Sequence, residues 1–378
     1  MATIERIHVT GVGPDIPRTT WASMPPQFML MTIVQVFDSD GGVGVGCTQS
    51  YGAGQYDFAT FESIRPLGQY ILGKDPANIE ARWRDLHTYI TPTAPGAIAA
   101  VDIALWDLAA KRANLPLYKM LGGFRDSMPA YASTAELETT NDYLQHVEEM
   151  MADGFKAIKF HAWNQPDKDL EMLTTVNKRF GGQVTFMHDA ENRYDFNGAV
   201  KVGRALEDMG FRWFEAPFRD YDLTSYFRLR ERVKIPIVPH GLWLMDLQEI
   251  YHHVARLPWD AVRFDASMSG GITQARKMVA LAEALGLPAE QQSWGYSLIQ
   301  GAAIHVGLAS PVSSYFELPI PYDAYEYGIT NPIRCDAEGN VRAPEGPGIG
   351  LEIDWAAMKR ATLAEYDCKS VDEVWAGV

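Results

Sequence analysis

The chain has few cysteines, no long apolar run and no surplus of positive charge. Only Cys47, Cys335 and Cys368 occur in 378 residues. They are too scattered for a metal-binding pair or a disulfide framework, so a reducing, cytoplasmic setting with inert thiols is expected. No apolar run approaches the ~20 residues that span a bilayer. The opening residues, MATIERIHVTGV, lack a charged segment followed by a long apolar one, so no secretory signal is expected. Glycine-rich phosphate loops follow none of the strand-like segments, which leaves nucleotide binding without support. Against 48 acidic residues stand 33 basic ones, a net charge of −15 that argues against a nucleic-acid or anionic-membrane surface. A small anionic substrate stays open, because one lysine or a bound metal can dominate a pocket. Internal repeats and low-complexity segments are lacking too.

What is present is a large apolar fraction, 47%, in a chain long enough for two domains. Residues 29–37 (MLMTIVQVF) and 43–47 flank the turn DSDGG and predict a hairpin. Before it, residues 14–28 form a Pro- and aromatic-rich loop. Its Arg18 and Trp21 suit a cover over a ligand, though a plain surface connection fits equally well. Residues 58–121 read as helical, most clearly where Ile98, Val101, Leu105 and Leu108 follow helical spacing. Asp102 and Asp107 on that stretch are expected to be structural or solvated rather than catalytic. From 128 to 318, eight strand-like segments alternate with helical ones, which predicts a (β/α) barrel. The tail from 331 is expected to pack back on the N-terminal part. The predicted domains are thus 1–127, 128–330 and 331–378.

Within the barrel, GFKAIKFH, FMHDAEN and RWFEAP are apolar runs that end in polar residues. Residues two apart on a strand share a face, so Lys159 pairs with His161 and Asp189 with Glu191. In a parallel barrel the C-terminal strand ends meet at one mouth, where active sites form. Asp189 and Glu215 at two neighbouring ends suit a hard divalent cation such as Mg²⁺. Lys159, in a strongly apolar strand, is expected to act as a base, its pKa lowered by burial and a nearby cation. His161 could assist or replace it. Asp265 ends AVRFD, Gln292 ends the next strand, and Glu317, on the last, could hydrogen-bond a substrate oxygen.

These motifs in this order resemble the enolase superfamily, in its mandelate racemase and muconate-lactonizing branch. The resemblance rests on AIAAVDIALWDLAAK followed by PLYKMLGG, on GFKAIK, HDAEN, FEAP and FDASMSGGIT, and on the GPGIG tail. It implies a modified TIM (β/α) barrel with an N-terminal α+β capping domain, Mg²⁺, a small carboxylate substrate and a homo-oligomer. It also implies abstraction of a proton α to a carboxylate, with the metal stabilising the enediolate. Asp189 and Glu215 match the first two metal ligands, and Lys159 and His161 match the second-strand base pair. The third ligand position, usually Glu, is Gly241 here; His240 beside it could offer a nitrogen, and Glu191 a further carboxylate. Asp265 and Glu317 are kept, but the histidine that partners the aspartate is Gln292, and an amide cannot transfer protons as imidazole does. One equipped face disfavours racemisation and favours elimination of water, with His161, the Arg18–Trp21 loop or Tyr51 near the leaving hydroxyl. Racemase, epimerase and cycloisomerase chemistry, or carboxylate binding without turnover, are the alternatives.

Overall fold

The structure, a computed structural model, describes residues 2–14, 25–88 and 93–368. The N-terminal part is an antiparallel sheet of β1 (Ile4–Val12), β2 (Gln27–Asp38) and β3 (Val43–Ala53). The predicted hairpin is β2–β3, and Asp38 fixes its turn by accepting from the backbone N–H groups of Asp40 and Gly42, both at 2.9 Å. The barrel strands are β4 (Met128–Ser133), β5 (Ala157–His161), β6 (Thr185–Asp189), β7 (Phe214–Glu215) and β8 (Ile237–Val238). They continue with β9 (Val262–Phe264), β10 (Ala289–Gln291) and β11 (Phe316–Pro319). After them come β12 (Asn340–Val341) and β13 (Thr362–Cys368).

All eight predicted barrel strands form. The parallel ladder runs β11-β4-β5-β6-β7-β8, so the last barrel strand closes against the first, and β9 and β10 pair separately. The capped α/β barrel expected from the sequence is the architecture observed. The tail divides its contacts: β12 pairs with β4, and β13 pairs with β1 at the edge of the N-terminal sheet.

The helix Pro95–Arg112 lies between cap and barrel and is buried on almost every side. Its alanines permit this. A Cβ on Gly44 or Gly46 would lie 2.0 Å from the carbonyl oxygens of Ala104 and Ala100, so only glycine lets β3 rest on this helix. On the barrel side, Asp102 accepts from the N–H and hydroxyl of Thr273 at 2.9 and 2.6 Å. Asp107 accepts from Val45 N and Ile349 N, both at 2.8 Å. Both aspartates are therefore structural and buried, and burial pushes the Asp102 carboxyl up to about 7.

The barrel interior is built in layers, because inward-facing residues recur every second position. Tyr131, Ala157, Met187, Trp213, Val238 and Ala261 form one apolar layer. Two residues further along the same strands come Ser133, Lys159, Asp189, Glu215, His240 and Arg263. The polar layer thus rests on an apolar plug, which excludes water from below.

Candidate active site

A cavity of about 290 Å³ opens above that polar layer. Its lining includes Lys159, His161, Asp189, Glu191, His240, Asp265, Gln292 and Glu317, with Tyr51 and Gln27 from the N-terminal sheet. Leu242, Met268 and Trp294 supply apolar wall. A larger cleft of about 720 Å³ lies elsewhere, along residues 76–81 and the helix Pro95–Arg112. It gathers Glu80, Arg112 and Arg276 but no convergent acid–base group, so the barrel mouth is the chemical site.

Lys159 is the centre of the cluster. Its ammonium stands 2.9 Å from Glu317, 3.1 Å from Glu215 and 3.3 Å from Asp189. Burial opposes its charge, but Glu215 and Glu317 outweigh burial and hold the ammonium well above the usual lysine range. This corrects the sequence-based expectation of a lowered pKa: the convergence of three carboxylates on one amine reverses the direction.

His161 is oriented by Thr134, whose carbonyl accepts from Nδ1–H at 2.5 Å. A carbonyl can only accept, so this bond fixes the tautomer and leaves Nε2 facing the carboxylates. Nε2 lies 3.1 Å from Asp189 and 3.3 Å from Glu191. Burial works against an imidazolium here, yet Asp189 and Glu191 push the pKa up to about 10. Glu191 reaches this place through a turn just past β6. Glu191 and Asn192 adopt left-handed backbone, φ 51° and 63°, and Glu191 N donates to Asp189 Oδ1 at 2.9 Å. Ligand atoms of His161, Asp189 and Glu191 all lie within 4.8 Å of one another, the only such set among the described residues.

Glu215, in register with Asp189 on the neighbouring strand, is fully buried and absent from the cavity lining. Arg263 Nη2 lies 2.8 Å from its Oε1, and Trp213 donates to its Oε2 at 3.1 Å. Arg263 also approaches Glu317 at 3.5 Å and donates to the Tyr131 hydroxyl at 3.2 Å. Sequence reasoning passed over Arg263. Its signal was available: in AVRFD, Ala261, Arg263 and Asp265 share one face of an otherwise apolar strand.

On the far side, Asp265 Oδ1 accepts from the Ser267 N–H and hydroxyl at 2.7 and 2.6 Å. Burial pushes its carboxyl up to about 6. Gln292 donates to the His240 carbonyl at 2.7 Å, so it braces the β8 end. The His240 backbone is held by Asp220 at 2.8 Å, and its side chain lines the wall outside the three-residue set. Glu317 accepts from Ser133 at 2.8 Å and from Ser293 N at 3.1 Å as well as from Lys159. Although burial alone would raise it, the Lys159 and Arg263 cations hold it down at about 2. Tyr51 donates to the Trp294 carbonyl at 3.0 Å and thereby fastens the cap to the cavity wall. Arg18 and Trp21 lie outside the described residues. No described helix is long and apolar enough to cross a membrane.

The family profile for the mandelate racemase / muconate lactonizing enzyme N-terminal domain matches residues 15–122, and that for the enolase C-terminal domain-like region matches 142–357. A 3,6-anhydro-alpha-L-galactonate cycloisomerase from Streptomyces coelicolor is 30% identical over 348 residues, covering 89% of this chain and 92% of that one. An arabinonate dehydratase from Saccharolobus solfataricus is 29% identical, covering 90% and 92%. Other relatives are sugar-acid dehydratases and a dipeptide epimerase. A solved structure from Pseudovibrio sp., assigned to the mandelate racemase/muconate lactonizing enzymes, superposes with a TM-score of 0.94 at 35% identity, covering 97% and 99%. A racemase from Streptomyces coelicolor, solved with bound magnesium, superposes at 0.83 with 27% identity, covering 95% and 100%. The superfamily uses Mg²⁺, and its members related to this chain are enzymes. With matching profiles over both its cap and its barrel, this chain belongs to the mandelate racemase/muconate lactonizing branch of the enolase superfamily.

Proposed function

We propose that the chain is a lyase that removes the proton α to the carboxylate of a sugar acid or related hydroxy acid and eliminates water. The asymmetry of the cavity carries this reading. Lys159 and His161 stand on one side, while on the other Asp265 has no imidazole partner and Gln292 is turned to a backbone carbonyl. A 1,1-proton transfer needs matched bases on both faces of the α-carbon. An elimination needs one base and one acid.

The proton leaves toward Lys159. The base has to be the neutral amine, and Arg263, which shares Glu215 and Glu317 with it, is the neighbour whose charge works toward that form. Asp265, pushed up to about 6, is placed to give the departing hydroxyl a proton. Apolar wall from Leu242, Met268 and Trp294 limits the water that competes for the carbanionic intermediate. A divalent ion suits the donors His161 Nε2, Asp189 and Glu191, and when bound it supplies Lewis-acid stabilisation of the enediolate.

Relatives that are cycloisomerases support a second reading, ring opening of an anhydro acid or lactone from the same α-proton abstraction. Incubation with a panel of acid sugars and their lactones separates the two. Water loss gives a 2-keto-3-deoxy acid, whereas cycloisomerisation gives an isomer of unchanged mass. Binding of acids with no turnover on any of them overturns both.

A further inference from the structure

Gly241 and Arg263 are sterically coupled. A Cβ on Gly241 would lie 2.7 Å from the Arg263 carbonyl oxygen and 2.8 Å from its Cγ, and Gly241 has φ 84°. No side chain fits at this position, so the β8 end cannot present a carboxylate there. The same arginine then reaches Glu215, whose two oxygens are both taken, by Arg263 and by Trp213. Two features that look separate in sequence are therefore one rearrangement. A guanidinium compensates Glu215 from within, and the position beside it is emptied.

Of the carboxylates that line the cavity, Asp189 and Glu191 are the two whose oxygens cluster with an imidazole nitrogen, that of His161. A histidine that ligates a metal through one ring nitrogen commonly donates its other N–H to a carbonyl or carboxylate, which fixes the ring. The bond from His161 Nδ1 to the Thr134 carbonyl, 2.5 Å, is of that kind. One imidazole nitrogen with two carboxylates is a mixed donor set. Mg²⁺ favours oxygen donors and keeps its waters, whereas affinity for a site that includes an imidazole nitrogen rises along the first-row ions from Mn²⁺ to Cu²⁺.

We propose that Arg263 is a built-in cation that withdraws Glu215 from metal binding, and that the divalent site of this chain is His161–Asp189–Glu191, with preference for a first-row transition ion over Mg²⁺. This deepens the reading of a divalent ion at the barrel mouth, yet it concerns binding alone. A protein that binds metal in this way but dehydrates no acid sinks the lyase reading and leaves this one standing.

The test is titration of the metal-stripped full chain with Mn²⁺, followed by paramagnetic resonance, with Mg²⁺ as competitor. Mn²⁺ is expected to bind at least tenfold more tightly than Mg²⁺. His161→Gln and Glu191→Gln should each weaken Mn²⁺ tenfold or more, while Glu215→Gln stays within twofold. Loss of binding in Glu215→Gln with retention in Glu191→Gln overturns the assignment, as does equal affinity for the two ions. Because Glu215→Gln can fail to fold, anomalous diffraction from a Mn²⁺-soaked wild-type crystal gives a second measurement. A peak bonded to His161 Nε2 upholds the proposal, and one bonded to Glu215 overturns it.

Discussion

His305 Nε2 donates to the Ile349 carbonyl at 2.9 Å while its Nδ1 accepts from the Tyr118 backbone N–H at 3.1 Å. One imidazole on a barrel helix thus ties the segment after the Pro95–Arg112 helix to the Gly/Pro-rich tail. Acceptance at Nδ1 needs the neutral ring. Burial lowers its pKa to about 4. The unfolded ring binds a proton near pH 6.5 and the folded ring does not, so stability is full above that value and falls as pH drops toward about 4. The loss amounts to roughly 3 kcal/mol. Urea midpoints measured between pH 8 and pH 4.5 should show it, and His305→Gln should flatten the curve. An unchanged slope in the variant rules out this histidine as the source.

Lys159→Ala is expected to abolish turnover, a loss of about 10³-fold or more in kcat/KM. It also leaves Glu317, Glu215 and Asp189 with one cation fewer, at a cost of about 3–5 kcal/mol. Exchange of the substrate α-proton in D₂O isolates the chemical role from the structural one. A folded Lys159→Ala protein that still exchanges the proton refutes the base assignment.

Restoring a carboxylate at the β8 end should fail. Gly241→Glu forces a side chain against Arg263 from left-handed backbone, and a loss of roughly 2 kcal/mol or more is expected. Pairing it with Arg263→Ala removes the Cγ contact but keeps the clash with the carbonyl group and the backbone strain. Thermal melts of the single and double variants check this, and a stable Gly241→Glu protein contradicts it.

Asp107→Ala leaves the buried N–H groups of Val45 and Ile349 without their acceptor. About 2–4 kcal/mol of stability should be lost, since each orphaned donor costs ~1–3 kcal/mol. Faster hydrogen exchange at these two amides, read by NMR or mass spectrometry, is the specific signature. Exchange unchanged at both positions counts against the role given to Asp107.

The barrel and much of its mouth were legible in the sequence because a period of two is local. Ala157, Lys159 and His161 share a face whatever their neighbours do, and so do Met187 and Asp189. What each group meets across the barrel is not local. The pairing of Arg263 with Glu215 arises only when β9 is brought near β7 by closure of the whole barrel. For the same reason the pKa of Lys159 was expected to fall and instead rises: the number of carboxylates around its amine is a tertiary quantity. Gly241 was readable as a departure from the family pattern, but the Arg263 backbone that forbids a side chain there was not. In the tail, the strand β13 escaped notice because TLAEYDC, half exposed at a sheet edge, lacks a strong apolar alternation.

The pairing of β13 with β1 also sets an order of assembly. During synthesis β1 emerges first, yet its edge partner is translated only after every barrel strand. Until then β1 presents unpaired backbone groups, an edge to which another nascent chain can add. The barrel can close while this edge is still unpaired, so the outer edge of the cap sheet is the last part to be completed. Truncation ahead of residue 362 would leave a chain with a formed barrel and an adhesive rim.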